Sequence, residues 1–364
     1  MLANIQGLRW FAALSVVVFH ANVAIAYYRQ APMQMGVAAA GVDIFFVISG
    51  FIMVHTTRDS SITPARFWTN RAVRIVPMYW LATLAAMAIF ATGVLQISVR
   101  AFDGADVITS FFFIPQLRYD LWLPILPVGW TLIFEMLFYF LFGLALVLRN
   151  QTAAVTLLGV FFVAAWAFGK LTSILPPPAE FLTTLVTLEF AAGAALALIF
   201  HATEKVRLPA PRVLGIGAIV AGVALILMTG ATGLSLWEIT DLRALLWGGP
   251  AVLIVAGGLI LERAGIRFTS SSIPLLGAAS YSIYLVHVVV LELVLGPAIT
   301  FLPDLGGPMT IGIAILAIIA AVFAGVVVHL WIERPMHLRL RGGVNRLFKP
   351  RAGSGRAGIN PASG

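Results

Sequence analysis

Residues 309–332 have the sequence MTIGIAILAIIAAVFAGVVVHLWI, which contains no Asp, Glu, Lys or Arg. A helix needs about 20 predominantly apolar residues to cross the hydrocarbon core of a bilayer, and this stretch is long enough. A chain that crosses lipid must satisfy its own backbone hydrogen bonds, and a continuously apolar run does so as a helix rather than as a barrel strand. The stretch therefore predicts a transmembrane helix.

Nine further segments are continuously apolar, and stretches rich in Pro, Gly or polar residues separate them. Apolar residues make up 60% of the 364 residues and charged residues only 10%, against roughly 25% charged residues in soluble domains. The sequence therefore predicts an all-α integral membrane protein, a bundle of about ten transmembrane helices. The predicted helices are residues 5–27, 37–56, 73–94, 128–148, 153–169, 180–200, 213–230, 244–261, 273–295 and 309–332.

The distribution of basic residues predicts the orientation of this bundle. If the N-terminus is cytoplasmic, 18 of the 23 lysine and arginine residues lie on the cytoplasmic side and 5 lie outside. This bias follows the positive-inside rule, so we expect both termini in the cytoplasm and no nucleic-acid partner for the net charge of +8. We assign residues 1–338 to the transmembrane domain. Residues 339–364 are basic and rich in Gly, Ser and Pro, which predicts a disordered cytoplasmic tail suited to contact with anionic lipid.

Four ionisable residues fall inside predicted helices, where each costs several kcal/mol and indicates a functional site. They are His20, Asp43, Glu135 and His287. At 1.5 Å of rise per residue, all four lie about 9–12 Å below the outer surface. This common depth predicts one buried polar chamber. An imidazole beside a carboxylate is the arrangement of general base catalysis, so we expect His20 to act as the base with Asp43 or Glu135 supporting it.

Three arginines near the cytoplasmic side suggest the ligand of this chamber. Arg9 precedes His20 by eleven residues, about three helical turns, so the two side chains share a face and lie about 16 Å apart along the axis. Arg71 and Arg74 share a face of a later helix, and guanidinium groups bind phosphates bidentately. A ligand with phosphates at one end and a reactive group on a long arm would fit, and acyl-CoA is such a ligand.

Simpler interpretations of these residues remain open. The three arginines would serve as positive-inside anchors, and the two histidines would be hydrogen-bonded core residues. Asp43 would cap a helix that begins at Ile44. Glu189, near the middle of its predicted helix, has a structural or a gating role. The chain has no cysteine, and its six histidines show no metal-ligand spacing on one helix, so we expect no metal site.

Several motifs, in their order along the chain, resemble those of the acyltransferase 3 family of membrane acyltransferases. The resemblance covers roughly residues 4–337. Within the family, the chain is most similar to the ExoZ-like group of exopolysaccharide acetyltransferases. The motifs are Arg9 with His20, residues 41–51 (GVDIFFVISGF), residues 67–77 with Arg71, Arg74 and Pro77, residues 130–139 with Trp130, Thr131, Leu132, Glu135, Phe138 and Tyr139, residues 280–287 (SYSIYLVH), and residues 333–335 (ERP).

The resemblance implies a multi-pass protein of the bacterial inner membrane. It implies transfer of an acyl group, usually acetyl, from cytoplasmic acyl-CoA to a hydroxyl of a carbohydrate or lipid-linked sugar, in association with polysaccharide biosynthesis proteins. It also implies that His20 is catalytic and that the arginine motifs are essential. The complete set of expected site residues is catalytic His20, Asp43 and Glu135, donor-binding Arg9, Arg71 and Arg74, and chamber-lining Ser282, Tyr284 and His287.

A second class of function uses the same residues. A proton-coupled transporter of a small anion or sugar would employ the buried histidines and carboxylates as a proton relay. Inverted repeats would favour a transporter, and the sequence shows none. The sequence leaves open the acceptor, the acyl chain, the side from which the acceptor enters, a covalent acyl-histidine intermediate and the oligomeric state.

Overall fold

The structure is a computed structural model that describes residues 2–30, 35–58, 62–95, 101–115, 123–172, 174–231, 241–268, 270–302 and 306–348. Within these residues every regular element is helical, which confirms the all-α prediction. In chain order the helices are α1 (Ala3–Arg29), α2 (Gly41–Thr57), α3 (Pro64–Phe90), α4 (Gly104–Phe111), α5 (Trp130–Ala145), α6 (Gln151–Leu171), α7 (Pro177–Leu182), α8 (Thr187–Ala202), α9 (Pro211–Ala231), α10 (Asp241–Arg243), α11 (Gly249–Arg263), α12 (Ser272–Phe301), α13 (Gly307–Val328) and α14 (Arg334–Leu347).

Nine helical segments in the described ranges are long and apolar enough to cross a membrane, which confirms a multi-pass membrane bundle. Two of these segments pass through a π-helical turn: Ala244–Gly248 joins α10 to α11, and His329–Glu333 joins α13 to α14. The structure differs from the prediction at residues 180–200. The predicted helix divides into α7 and the 16-residue α8, because the backbone N–H of Leu185 donates to the carboxylate of Asp241 (3.1 Å) instead of to a helical carbonyl.

Helices α2 and α8 pack with their backbones in direct contact. A Cβ added at Gly50 would lie 1.9 Å from the carbonyl oxygen of Phe190, and one added at Gly193 would lie 1.9 Å from that of Val47. Only glycine permits this approach, as in other close helix pairs of membrane proteins. The contact fixes α2, which carries Asp43, against α8.

Helix α12 packs along α1 and also against α13. The glycines again mark the closest points, because a Cβ at Gly277 would meet the backbone of Gln6 and one at Gly325 would meet that of Ile283. Since α1 and α12 are in contact over much of their length, the ionisable residues of the first helix face those of the twelfth.

The C-terminal segment is more ordered than the sequence predicts. Helix α14 continues to Leu347, so the prediction of a disordered tail from residue 339 is wrong for residues 339–347. Together α13, the π-helical turn and α14 form a 41-residue segment, about twice the length that a bilayer requires. The extra length packs against α3, and Val344 within it is buried. Residues 349–364 of the predicted tail lie outside the described ranges.

Candidate active site

A cavity opens between helices α1, α2, α3, α5 and α12. Four charged residues line it, and all were predicted site residues: Arg9, Arg71, Arg74 and Glu135. Hydroxyl groups contribute most of the remaining polar surface. The rest of the wall is apolar and comes mainly from one face of α2. The cavity therefore joins a cationic region to an apolar one.

The three arginines are held differently. Arg9 is only 8% exposed and donates to the hydroxyl of Ser280 (3.0 Å). Arg71 donates to Thr56 (3.3 Å), while its buried Nε has no hydrogen-bond partner among the described residues. Arg74 makes no hydrogen bond or ion pair with any residue that the structure describes. Donor groups of two arginines thus remain unsatisfied within the cavity, as expected of a site that binds an anion.

Glu135 is the carboxylate that faces these arginines. Its Oε1 accepts hydrogen bonds from Ser49 (3.1 Å) and from Tyr139, one helical turn further along α5. No hydrogen bond joins it to His20 within the described part of the chain. One carboxylate among three guanidinium groups leaves the cavity with an excess of positive charge.

His20 and His287, two of the four residues predicted to share a depth, form a direct pair. His20 Nδ1 lies 3.1 Å from His287 Nε2 and 3.0 Å from the carbonyl oxygen of Val16. His287 is fully buried, and its Nδ1 lies 3.1 Å from the carbonyl oxygen of Ile283. Neither histidine lines the cavity, but the ring of His287 lies 5.8 Å from that of Tyr284, which does. The pair therefore sits one side chain behind the cavity wall.

For two neutral rings, these contacts favour one pair of tautomers. A carbonyl oxygen only accepts, so His287 Nδ1 carries the proton and its Nε2 carries a lone pair. His20 Nδ1 must then be the donor, because both of its neighbours, Val16 O and His287 Nε2, are acceptors. The remaining nitrogen, His20 Nε2, holds a lone pair and has no partner among the described residues. His20 is thereby set up to accept a proton.

Asp43 has a partner that the sequence analysis did not identify. Its two carboxylate oxygens accept from Arg243 Nε and Nη2 (3.1 and 2.9 Å), and both side chains are 1% exposed. The expected support of His20 by Asp43 is therefore not found. The predicted helix 244–261 excludes Arg243, whereas the helical segment begins at Asp241 and includes it. Arg243 directly precedes the apolar run that begins at Ala244, and this position was the feature of the sequence that could have indicated a buried arginine.

Glu189 lies beside this ion pair. It is 3% exposed, and neither carboxylate oxygen has a hydrogen-bond partner among the described residues. Its carboxylate would meet a Cβ added at Gly248, and it is within electrostatic range of Asp43 and Arg243. Glu189 thus belongs with Asp43 of α2 and Arg243 of α10 to a buried charged group that does not line the cavity.

The two hydroxyl residues predicted to line the chamber differ in position. Tyr284 lines the cavity; it donates to the carbonyl oxygen of Val128 (2.9 Å) and lies 2.8 Å from the hydroxyl of Thr131. Ser282 does not line it. It points about 200° around the helix from Ser280 and donates to Glu333 (2.6 Å).

Comparison with known proteins identifies the family. A model of the acyltransferase domain matches residues 2–330. The exopolysaccharide production protein ExoZ of Rhizobium meliloti (strain 1021) is 36% identical to this chain over 87% of the chain and 94% of that protein. Acyltransferase MdmB of Streptomyces mycarofaciens is 26% identical over 94% of this chain and 92% of its own.

A more distant relative is the peptidoglycan O-acetyltransferase OatA of Listeria monocytogenes serovar 1/2a. It is 27% identical over 40% of this chain and 21% of that protein. No solved structure gave a significant match. The match over residues 2–330 and the similarity to ExoZ agree with the motifs and with the helical bundle. The chain belongs to the acyltransferase 3 family of membrane acyltransferases.

Proposed function

We propose that this protein transfers an acyl group, usually acetyl, from acyl-CoA bound from the cytoplasmic side to a hydroxyl of a carbohydrate such as an exopolysaccharide or a lipid-linked sugar. The observation that carries the proposal is the cavity in which Arg9, Arg71 and Arg74 meet, beside a histidine pair with an unpartnered nitrogen. The names of the relatives supply the acceptor class, since ExoZ is a protein of exopolysaccharide production and OatA acetylates peptidoglycan.

The donor site follows from charge and shape. The phosphates of acyl-CoA bind the arginines, whose unsatisfied N–H groups match phosphate oxygens in a fork. The apolar wall of the cavity takes the pantetheine arm. Arg9 and His20 belong to one helix and lie about 16 Å apart along its axis, so a donor held by the arginines extends along α1 towards His20. The positive-inside rule places the arginine end on the cytoplasmic side, where acyl-CoA is available.

The proposed chemistry is direct transfer. His20 Nε2 removes the proton of the acceptor hydroxyl as its oxygen attacks the thioester carbonyl. The carbon–sulfur bond breaks, and the CoA thiolate leaves. The imidazolium of His20 then returns the proton to the thiolate, which restores the neutral ring. A thiolate is a good leaving group, so no acyl-enzyme is required.

His287 and Glu135 support this chemistry without touching the reacting atoms. His287 Nε2 accepts from His20 Nδ1 and so keeps the lone pair on His20 Nε2. Glu135 orients Tyr139 and Ser49 at the wall and offsets part of the arginine charge. We assign the protein to the bacterial inner membrane with both termini in the cytoplasm, as the placement of its basic residues predicts.

The test is His20→Ala in purified protein reconstituted with labelled acetyl-CoA and the surface polysaccharide of the host. We expect acyl transfer to fall by about 100-fold or more, the usual contribution of a general base, while donor affinity stays close to wild type. His201→Ala is the matched control, because His201 lies at the end of α8 and not at the cavity; it should retain activity.

Retention of most activity in His20→Ala would contradict the mechanism. Unchanged acetylation of the polysaccharide after deletion of the gene would contradict the acceptor class. Proton-coupled uptake by the purified protein, without acyl transfer, would favour the transporter instead.

A further inference from the structure

Helix α14 carries arginines on two opposite faces. Arg334, His337, Arg341 and Val344 recur at spacings of three and four residues and so share one face. Val344 is buried against the neighbouring elements, and α14 packs on α3. This first face therefore turns towards α3. Arg339 lies about 200° around the helix from His337 and belongs to the opposite face.

The face towards α3 is continuous with the cavity. Arg74 lines the cavity from α3, and His337 lies against the backbone of the preceding residue, Val73. Arg74 and Arg341 both lie within electrostatic range of His337. Arg341 follows His337 by one turn, about 6 Å along the axis of α14. Cationic groups thus extend from the cavity along α14.

Two of these groups have unused hydrogen-bonding capacity. His337 Nδ1 is buried and has no partner among the described residues. Arg341 is exposed and makes no hydrogen bond or ion pair within the described part of the chain. The nearest carboxylate, Glu333, already accepts from Ser282 (2.6 Å) and His329 (2.7 Å). Because Glu333 accepts its hydrogen bonds from Ser282 and His329, the groups of His337 and Arg341 remain available to an anion.

We propose that Arg341, together with His337 and Arg74, binds the 3′-phosphate on the nucleotide end of the acyl-CoA donor. The inference rests on the proposed function, because it extends the donor site that Arg9, Arg71 and Arg74 begin. The 3′-phosphate is the charged group of CoA furthest from the thioester. Arg341 does not line the cavity but follows His337 by one helical turn, so its guanidinium would meet the end of the donor that extends past the cavity arginines.

The experiment measures binding of acetyl-CoA and of 3′-dephospho-acetyl-CoA to the purified full-length protein in a neutral detergent, by calorimetry. Wild type should bind acetyl-CoA about tenfold or more tightly than the dephospho form, the range for a hydrogen-bonded charge. Arg341→Ala should lose this preference: its affinity for acetyl-CoA falls, and its affinity for the dephospho form is unchanged. Arg339→Ala, on the opposite face of the same helix, should bind both donors as wild type does.

The outcomes separate this inference from the proposed function. If wild type binds neither donor, the proposed function fails and the phosphate site fails with it. If wild type binds acetyl-CoA but Arg341→Ala keeps the tenfold preference, the phosphate site is refuted and the proposed function stands. Equal weakening of both donors by Arg341→Ala also refutes the site, because it indicates an effect on folding or on general charge. An arginine that serves anionic lipid headgroups instead would leave both affinities unchanged in neutral detergent.

Discussion

Asp43→Asn is expected to reduce stability far more than it reduces the chemistry of the folded protein. Asp43 and Arg243 are joined by two hydrogen bonds of 3.1 and 2.9 Å, and each side chain is 1% exposed. The substitution removes the negative charge and leaves a buried guanidinium without its counter-charge. Because His20 bonds to His287 and not to Asp43, the catalytic pair should be preserved.

The magnitude follows from what remains around Arg243. Removal of one partner from a buried ion pair costs about 3–5 kcal/mol. In Asp43→Asn the arginine keeps its bond to the carbonyl oxygen of Ala39 (3.2 Å) and its position over Trp247. The carboxylate of Glu189 also lies within electrostatic range. These contacts place the cost near the lower limit, about 3 kcal/mol, and the added substitution Glu189→Gln should raise it towards about 5 kcal/mol.

The assay is unfolding in mixed micelles by titration with SDS, followed by tryptophan fluorescence, with acyl transfer measured on the folded fraction. Glu204→Gln is the matched control. It breaks an ion pair with Arg58 of similar length, 3.2 Å, whose side chains are 65% and 39% exposed, so we expect a loss below about 1 kcal/mol. Equal losses of free energy of unfolding in the two variants would refute the role of burial.

The double variant Asp43→Leu, Arg243→Met tests the same reasoning from the opposite direction. Replacement of a buried pair by apolar residues is often neutral or stabilising by about 1–4 kcal/mol. We therefore expect the double variant to regain stability, and acyl transfer should return with it. A stable double variant that lacks activity would show that the ion pair takes part in catalysis, contrary to this assignment.

Two further predictions concern packing and the donor site. Gly50→Ala should lower the free energy of unfolding by about 3 kcal/mol or more, because its Cβ would lie 1.9 Å from Phe190 O and overpacking is destabilising. Gly217→Ala is the control: its Cβ would meet no atom within 4 Å, so the SDS unfolding midpoint should change little. The Arg71→Lys, Arg74→Lys double variant should bind acetyl-CoA about tenfold more weakly, since an ammonium lacks the guanidinium fork, with unchanged protease access to the C-terminus. Full donor binding in that variant would show that Arg71 and Arg74 serve only as positive-inside anchors.

The helical type and the position of most transmembrane segments were predictable, because a segment that crosses a membrane must be apolar and helical. The number was less exact: the sequence predicts ten such segments, and the described ranges contain nine. Continuous apolar length determines whether a segment crosses lipid, and that length is visible in the sequence. The break before α8 was not visible, because it depends on a contact between Leu185 and Asp241, residues 56 positions apart. The continuation of the last helix to Leu347 was missed because its basic composition resembles that of a disordered tail, whereas Val344 packs it on its neighbours.

The sequence predicts how far along its helix each site residue lies, but not which neighbouring helix its side chain faces. Helical rise is the same for every residue, so residue counting placed His20 and His287 in one layer, and the structure joins them. Counting gives no information about which neighbour a side chain faces once helices pack. That is why Asp43 was assigned to His20, although α2 turns it towards Arg243.

The polar groups inside this bundle divide according to whether their hydrogen-bonding capacity is used. Asp43 and Arg243 satisfy each other, so neither has an attraction left to offer a ligand without breaking the pair. Arg74 and His20 Nε2, by contrast, have no partners among the described residues. An unsatisfied polar group in a membrane is costly and persists only where something else compensates for it. A substrate that supplies phosphates at the arginines and a hydroxyl at the histidine would compensate for both, which is why the arginine-lined cavity beside the histidine pair, and not the Asp43–Arg243 ion pair, is the proposed site of acyl transfer.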